Sequence, residues 1–270
     1  MNLDQLADLQ LTLEGYSFEQ LNVEEARALK SYFDTFRNHL EERGLLAKLL
    51  NMLNEQLESH GILVRTGSIV DATLIPSARS PRKVEEVIPD ELGDAGEDDD
   101  DDDDRPTGYT VETTYSDDND ARWTRKGKVF CYGYKGHIAV DTGHGFILGG
   151  HATAANRADC REMMKVVDES GLETGAPVLA DKGYSSAANR CALEDAGYCD
   201  LIMYRASRGH PLSEAQRMVN RAISKVRGSV ERAFGSMKKH YGLGRARYLG
   251  TAKMTMQLML SAMAFNLKKA

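Results

Sequence analysis

Apolar residues recur three and four apart through VEEARALKSYFDTFRNHLEERG, residues 23–44, and LLAKLLNMLNEQLESHG, residues 45–61. That spacing predicts two amphipathic helices, with Gly61 as the stop of the second. From Ser68 the period shortens to two or gives way to short apolar runs. Ser68–Ile75, KVFCYGYKGHIAVD, GFILGGHATA, APVLAD and CDLIMY read as strands, and the turn TGHG joins the second and third into a hairpin. SSAANRCALEDAG, between the last two strands, reads as a crossover helix. From about Leu212 to Tyr241 the stripe Val219, Ile223, Val226, Val230, Ala233 and Met237 marks one face of a long helix. A last helix, about Lys253 to Lys268, is apolar nearly all round and is expected to lie buried against the sheet. Hairpins early and a helical crossover late predict an α/β fold with a mixed sheet flanked by helices. Residues 1–62 form a helical region suited to DNA binding or dimerisation, although packing alone accounts for it equally well. Residues 63–270 form the main domain.

Charge changes the picture when it is divided by segment. The chain carries −7 overall, but residues 84–120 hold seventeen acids against Arg105 alone, which leaves the remainder at +9. Between Arg205 and Ala270, fourteen Lys and Arg face only Glu214 and Glu231. A basic body of this kind suits a polyphosphate partner, with a solvated helix surface as the plainer alternative. The Asp98–Asp104 run cannot bury apolar surface, so residues 84–110 read as a disordered acidic insertion. The four cysteines show no C-x-x-C pair and no zinc spacing, so free thiols are expected. The amino terminus lacks signal-peptide character and no segment is apolar for about 20 residues, so a cytoplasmic protein associated with the nucleoid is expected.

Three carboxylates stand out by context. Asp71 sits at the centre of the β-branched stretch GSIVDATLI, where an ionised carboxylate costs several kcal/mol unless a cation or hydrogen bonds compensate it. Asp181 ends the apolar strand APVLAD, at the carboxyl end where α/β sheets place ligands. Glu231 shares one side of the long helix with Arg227 and Lys238, four and seven positions away. A capping role for either aspartate and an i,i+4 surface pair for Glu231 are the ordinary alternatives. Three carboxylates at one sheet end would repel one another without a divalent cation. Oxygen-only ligands suit Mg²⁺ or Mn²⁺, and two such ions about 4 Å apart serve in-line displacement at phosphorus.

The blocks IVDATLI, DARWTRKGKVFCYGYKGHIAVD, TAANRADC, VLADKGY, RGSVERAFGSMKKHYGLGRARYLG and NLKK occur in that order. The chain thereby resembles the DDE transposases of bacterial and archaeal insertion sequences, in particular the insertion sequence five branch. The resemblance implies a ribonuclease-H-like fold, two divalent ions, the triad Asp71, Asp181 and Glu231, and DNA contacts from Arg227 and Lys238. It also implies a homodimer that cuts both element ends and joins them to target DNA. Ser224 stands where that family often has a tyrosine, three positions before the signature arginine. The acidic insertion belongs to no family block. Lys182 and Tyr184, beside the second acid, and Lys135 are further candidates to touch DNA; Lys135 and His137 lie on the hairpin strand beside the first acid. Trp123, flanked by Arg122, Arg125 and Lys126, suits stacking on an unpaired base or cover of the core. Asn156 and Asp159 either support ion ligands or cap a helix starting near Arg161. A nuclease or resolvase without strand transfer, and a non-catalytic DNA-binding relative, remain alternatives at this stage.

Overall fold

The computed structural model describes residues 23–79, 83–89, 109–115 and 118–270. Residues 1–22 and the Asp98–Asp104 run, on which two of the expectations above fall, lie outside the described residues. Helices α1 (Val23–Glu42) and α2 (Leu45–Ser59) are joined through Gly44, whose φ of 62° is the left-handed turn a glycine adopts without strain. Strand β1 (Ser68–Pro76) follows, then β2 (Lys83–Pro89), β3 (Tyr109–Tyr115), β4 (Arg122–Lys126), β5 (Val129–Asp141) and β6 (Ile147–Ala154). The second half runs α3 (Met163–Glu169), β7 (Pro177–Ala180), α4 (Ala187–Asp195), β8 (Cys199–Ile202), α5 (Glu214–His240) and α6 (Thr251–Lys269).

β1 is central in the main sheet. It pairs antiparallel with β5 along its whole length, with Asp71 opposite Ile138, and parallel with β7, with Val70 opposite Ala180. β6 and β4 both pair with β5, while β8 extends the sheet beyond β7 in parallel. Three antiparallel strands followed by two parallel ones, with the first strand in the middle, is the ribonuclease-H-like order.

Alternation along β1 and β7 divides the core into two layers. Ile69, Ile75 and Leu179 pack with the buried face of α5 and with α6, whereas Val70, Val178 and Ala180 pack with α3 and α4. By the same alternation Asp71 and Asp181 project on the α5 side. The buried face of α5 is Ile223, Val230, Ala233, Phe234 and Met237. Val219 and Val226, placed in the buried stripe by spacing, lie at its edge, each 37% exposed.

α2 belongs to both layers, through Leu46 and Leu50 on one side and Leu57 on the other. Asn266 of α6 locks it there: Nδ2 donates to Asn54 Oδ1 at 2.9 Å and to the Ile147 carbonyl at 2.8 Å, and Oδ1 accepts from Ile147 N at 2.9 Å. Every polar atom of that buried amide is thus used, as burial requires.

Strand pairing reaches into both ends of the acidic insertion. β2 and β3 form an antiparallel ribbon with Lys83 opposite Tyr115 and Pro89 opposite Tyr109, so residues 84–89 and 109–110 are strand. KVEEVIP and YTVETTY are β-branched at enough positions to pair despite their acids. At the foot of the ribbon, Asp118 is 1% exposed and accepts bonds from the hydroxyls of Ser77 and Tyr134. Asp120 Oδ2 accepts from Thr251 N at 2.8 Å and Thr251 Oγ1 at 2.9 Å, which caps α6 from a distant part of the chain.

Candidate active site

The compensation that Asp71 demands is present. Its Oδ2 accepts a hydrogen bond from Arg227 Nη2 at 2.8 Å, and its Oδ1 accepts from Ala72 N at 2.8 Å. Both side chains are largely covered, 17% exposed for Arg227 and 19% for Asp71. Burial pushes the Asp71 carboxyl above its ordinary range; Arg227 and the Ala72 bond oppose that push, and the Asp181 charge adds to it. Asp181 leaves the end of β7 and caps the short turn Lys182–Tyr184, its Oδ1 accepting from Gly183 N at 2.6 Å. The turn-capping role weighed for Asp181 is thus present, and the pairing of Val70 with Ala180 sets Asp181 beside Asp71.

α5 crosses this strand end with the face that carries Glu231. Arg227, one turn before Glu231, reaches Asp71, and Lys238, two turns after it, donates from Nζ to the Leu74 carbonyl at 2.9 Å. Glu231 lies between two side chains that both touch β1, and is itself exposed. Among the described residues, no three acidic, histidine or cysteine side chains close on one metal position. Arg227, rather than Glu231, meets Asp71 in this arrangement.

The donor chemistry nevertheless fits a hard divalent cation. Asp71 and Asp181 project from neighbouring strands on one face, and burial and mutual repulsion make positive charge necessary there. The Arg227 guanidinium occupies that electrostatic role.

The remaining candidates fall in different places. Lys182 is exposed beside Asp181, whereas Tyr184 is 1% exposed and its buried hydroxyl has no partner among the described residues. Burial first, then the charges of Asp159, Asp71 and Asp181, raise the Tyr184 hydroxyl well above its usual range. Lys135 is not presented outward: its Nζ lies 2.6 Å from the Arg157 carbonyl and 2.6 Å from Asp159 Oδ1. Trp123 and Arg125 stand on the outer hairpin β4–β5. Trp123 is 53% exposed with its ring 5.5 Å from that of Tyr132, and Arg125 lies over Phe130 at 5.2 Å. Neither Asn156 nor Asp159 caps the next helix: α3 starts at Met163 behind a turn over Asp159–Arg161, and no side chain bonds at either cap.

Sequence reasoning passed over a buried polar cluster behind β5. His151 spans two carboxylates, with Nε2 3.1 Å from Glu162 Oε2 and Nδ1 2.9 Å from Glu169 Oε2. Arg157 Nε donates to Glu162 Oε1 at 2.6 Å. Burial works to raise the Glu162 carboxyl, but the Arg157 and His151 bonds prevail and hold it below its usual range. His137 sits opposite His151 in the strand register and stacks on it at 5.4 Å. Two histidines at facing positions of a predicted hairpin were the available signal.

A ribonuclease-H-like sheet with one aspartate in its central strand and another at the end of the neighbouring strand, under a basic helix, defines an α/β enzyme that acts on phosphodiesters. The model of the transposase DDE domain family matches residues 63–267, and the chain belongs to that family. It is 37% identical over 241 residues to the transposase for insertion sequence element IS1106 of Neisseria meningitidis serogroup B, covering 88% of this chain and 77% of that protein. A cryo-EM structure of the piggyBac transposase synaptic complex with hairpin DNA aligns over 74% of this chain and 46% of its own, just under half. Its 10% identity and TM-score of 0.39 are too low to bear on details. This chain is accordingly a transposase of the insertion-sequence type, an enzyme class that uses divalent metal ions. Among the described residues no helix is long and apolar enough to cross a membrane.

Proposed function

We propose that Asp71, Asp181 and Glu231 are the catalytic carboxylates of this transposase, and that it belongs to the insertion sequence five branch. The observation that carries this reading is the shared face: Asp71 and Asp181 project toward α5, and both Arg227 and Lys238, flanking Glu231, reach β1. Two Mg²⁺ or Mn²⁺ ions held by these acids would activate the attacking hydroxyl and stabilise the leaving oxygen. For that set to assemble, Arg227 releases Asp71 and Glu231 turns in from the surface. The freed guanidinium, with Lys238 and the exposed Lys182, then neutralises phosphates of the bound end. Lys135, Tyr184 and the 156–162 segment support the site from behind, while Trp123 and Arg125 meet DNA at its outer edge. Water and then the freed 3′-hydroxyl are the successive nucleophiles. Residues 1–62 serve terminal-repeat binding or pairing of two copies, with Tyr32, Phe33 and Phe36 of α1 exposed at 46%, 44% and 41%.

The test is a joining assay with a labelled, pre-cleaved terminal-repeat duplex and a plasmid target in Mg²⁺, beside Asp181→Asn. Joined product from the wild type alone supports the assignment. Mg²⁺-dependent nicking without joining would make the protein a nuclease, and binding without either reaction would make it a relic.

A further inference from the structure

The acids under α5 leave the outer hairpin unexplained. A cavity of about 610 Å³ opens beside it, lined by Asn119, Arg122, Trp123, Tyr132, Asn156 and the buried Asp118. We propose that this cavity receives one unpaired nucleobase of a bound DNA strand, well away from the reacting phosphate; the choice of DNA as partner rests on the transposase reading.

Four features converge on a base. The volume lies in the range of small-ligand pockets, about 300–1,000 Å³. Trp123 is 53% exposed and leans on Tyr132 with the rings inclined at 53°, so one side is braced and a broad face remains open for stacking. Tyr132 is itself fixed, its hydroxyl donating to the Asp118 carbonyl at 2.9 Å. Asn119 and Asn156 bring amides, which both donate and accept, as the edge of a base does.

Charge separates base from phosphate. Asp118, at the floor, is 1% exposed and its two oxygens accept from Ser77, Tyr134 and Gly250 N, so the floor presents acceptor oxygens and no donor to an anion inside the cavity. Of the two nearby arginines, Arg125 is not part of the lining and rests on Phe130, which is 63% exposed, while Arg122 in the wall is already engaged. Arg122 Nη1 turns back onto the carbonyls of Asn119 at 2.5 Å and Ala121 at 2.9 Å. A neutral ring in the cavity with its phosphates on the rim satisfies both.

Position follows from β1. Ser77, bonded to Asp118, is six residues beyond Asp71, which at about 3.3 Å per residue puts the cavity roughly 20 Å along the strand. At about 3.4 Å per nucleotide, that is some six steps along a DNA strand from the Asp71 site.

The test measures binding of the full chain to a fluorescein-labelled duplex with one bulged adenine, to the fully paired duplex, and to a duplex whose bulge is abasic. The wild type should prefer the bulged adenine over both controls by about five- to a hundred-and-fiftyfold, the range given by base–aromatic stacking. Trp123→Ala should lose that preference and Trp123→Phe should keep most of it. Equal binding to adenine and abasic bulges, or a preference that survives in Trp123→Ala, would overturn the pocket. Competition by dAMP without any preference among duplexes would assign the cavity to a free nucleotide and overturn it likewise. The joining assay, run on the same preparation, keeps the two readings apart: joining without base preference removes the pocket and leaves the reaction, and the converse removes the reaction and leaves the pocket.

Discussion

Arg227 Nη2 stands 2.8 Å from Asp71 Oδ2, so the carboxylate at the centre of the sheet is neutralised by an arm from the helix laid across it. The pair links two functions in one contact. It lets an acid persist in an apolar strand, and it ties α5, which carries Glu231, to the strand beside Asp181. A divalent ion held by Asp71 would compete with this guanidinium for the carboxylate's negative charge.

Arg227→Gln should therefore destabilise the metal-free protein by about 1–3 kcal/mol, below the figure for a fully buried pair because both partners keep some solvent. The loss should shrink at low pH, since a protonated Asp71 needs no counter-charge. The Asp71 carboxyl is already raised by burial, so this relief begins above the ordinary carboxylate range. Urea unfolding at several pH values measures it. Calorimetric titration with Mn²⁺ should show tighter binding to the variant, and weaker binding would contradict competition for Asp71.

His137 gives a second pH dependence of opposite origin. Burial, followed by the neighbouring His151 and Lys135 charges, pushes its imidazole down to about 3, with Glu162 opposing and Lys165 adding to the push. The unfolded chain takes up a proton near pH 6.5 that the folded chain refuses, so stability falls as the pH drops from about 6.5 toward 3. The slope from this group is at most about 1.4 kcal/mol per pH unit. His137→Gln keeps a partner for Thr153 Oγ1, 2.9 Å from the imidazole Nε2, and does not titrate. Its stability should change less with pH between about 6 and 4 than the wild type's, and parallel curves would show that His137 is not the group responsible.

These pairings explain how far the sequence could be read. Strands and long helices were legible because their periods are local: β1, β5 and β7, the α4 crossover, α5 and α6 all lie where the apolar spacing puts them. Asp71 and Asp181 were legible because a carboxylate in an apolar run is chemically expensive. What compensates Asp71 was not, since a metal ion and a guanidinium answer the same electrostatic need and only the packing of α5 on β1 chooses between them. β4 escaped because its short run RWTRK is polar and cationic, and the β2–β3 ribbon because acids dominate its neighbourhood and its pairing depends on partners 20 or more residues away. The inward turn of Lys135 and the burial of Tyr184 are likewise set by the Asp159–Arg161 and Lys182–Tyr184 turns, which have no periodic signature.

Asp120 offers a test of one such long-range contact. It supplies the side-chain cap at Thr251 that Gly250 cannot, and those two bonds hold its carboxyl below the ordinary range. Asp120→Ala should cost about 0.5–2 kcal/mol, as loss of a helix cap does. The wild-type advantage is present above the unfolded carboxylate pKa near 3.8 and disappears as the pH falls through the lower folded value. Asp120→Asn should recover part of the loss at neutral pH. A variant as stable as wild type at pH 7 would mean that the capping bonds contribute nothing net.

Glu231 allows the cleanest separation of chemistry from folding. It is exposed, and no ion pair of its carboxylate occurs among the described residues, so Glu231→Gln should change stability by less than about 0.5 kcal/mol. Asp71 lacks this property, because replacing it also strands Arg227, and Asp181 lacks it because it caps a turn. If Glu231 completes the carboxylate set, the neutral amide should leave DNA affinity unchanged or slightly stronger, as one negative charge is removed from a basic face. Joining should fall by at least about a hundredfold, because the interaction removed exists only in the reacting complex. Glu214→Gln, at the far end of the same helix, removes an equal charge and should leave joining intact. If both variants join at wild-type rates, Glu231 is only a surface acid on α5, and the third carboxylate must be sought among the acids near Tyr184, beginning with Asp159.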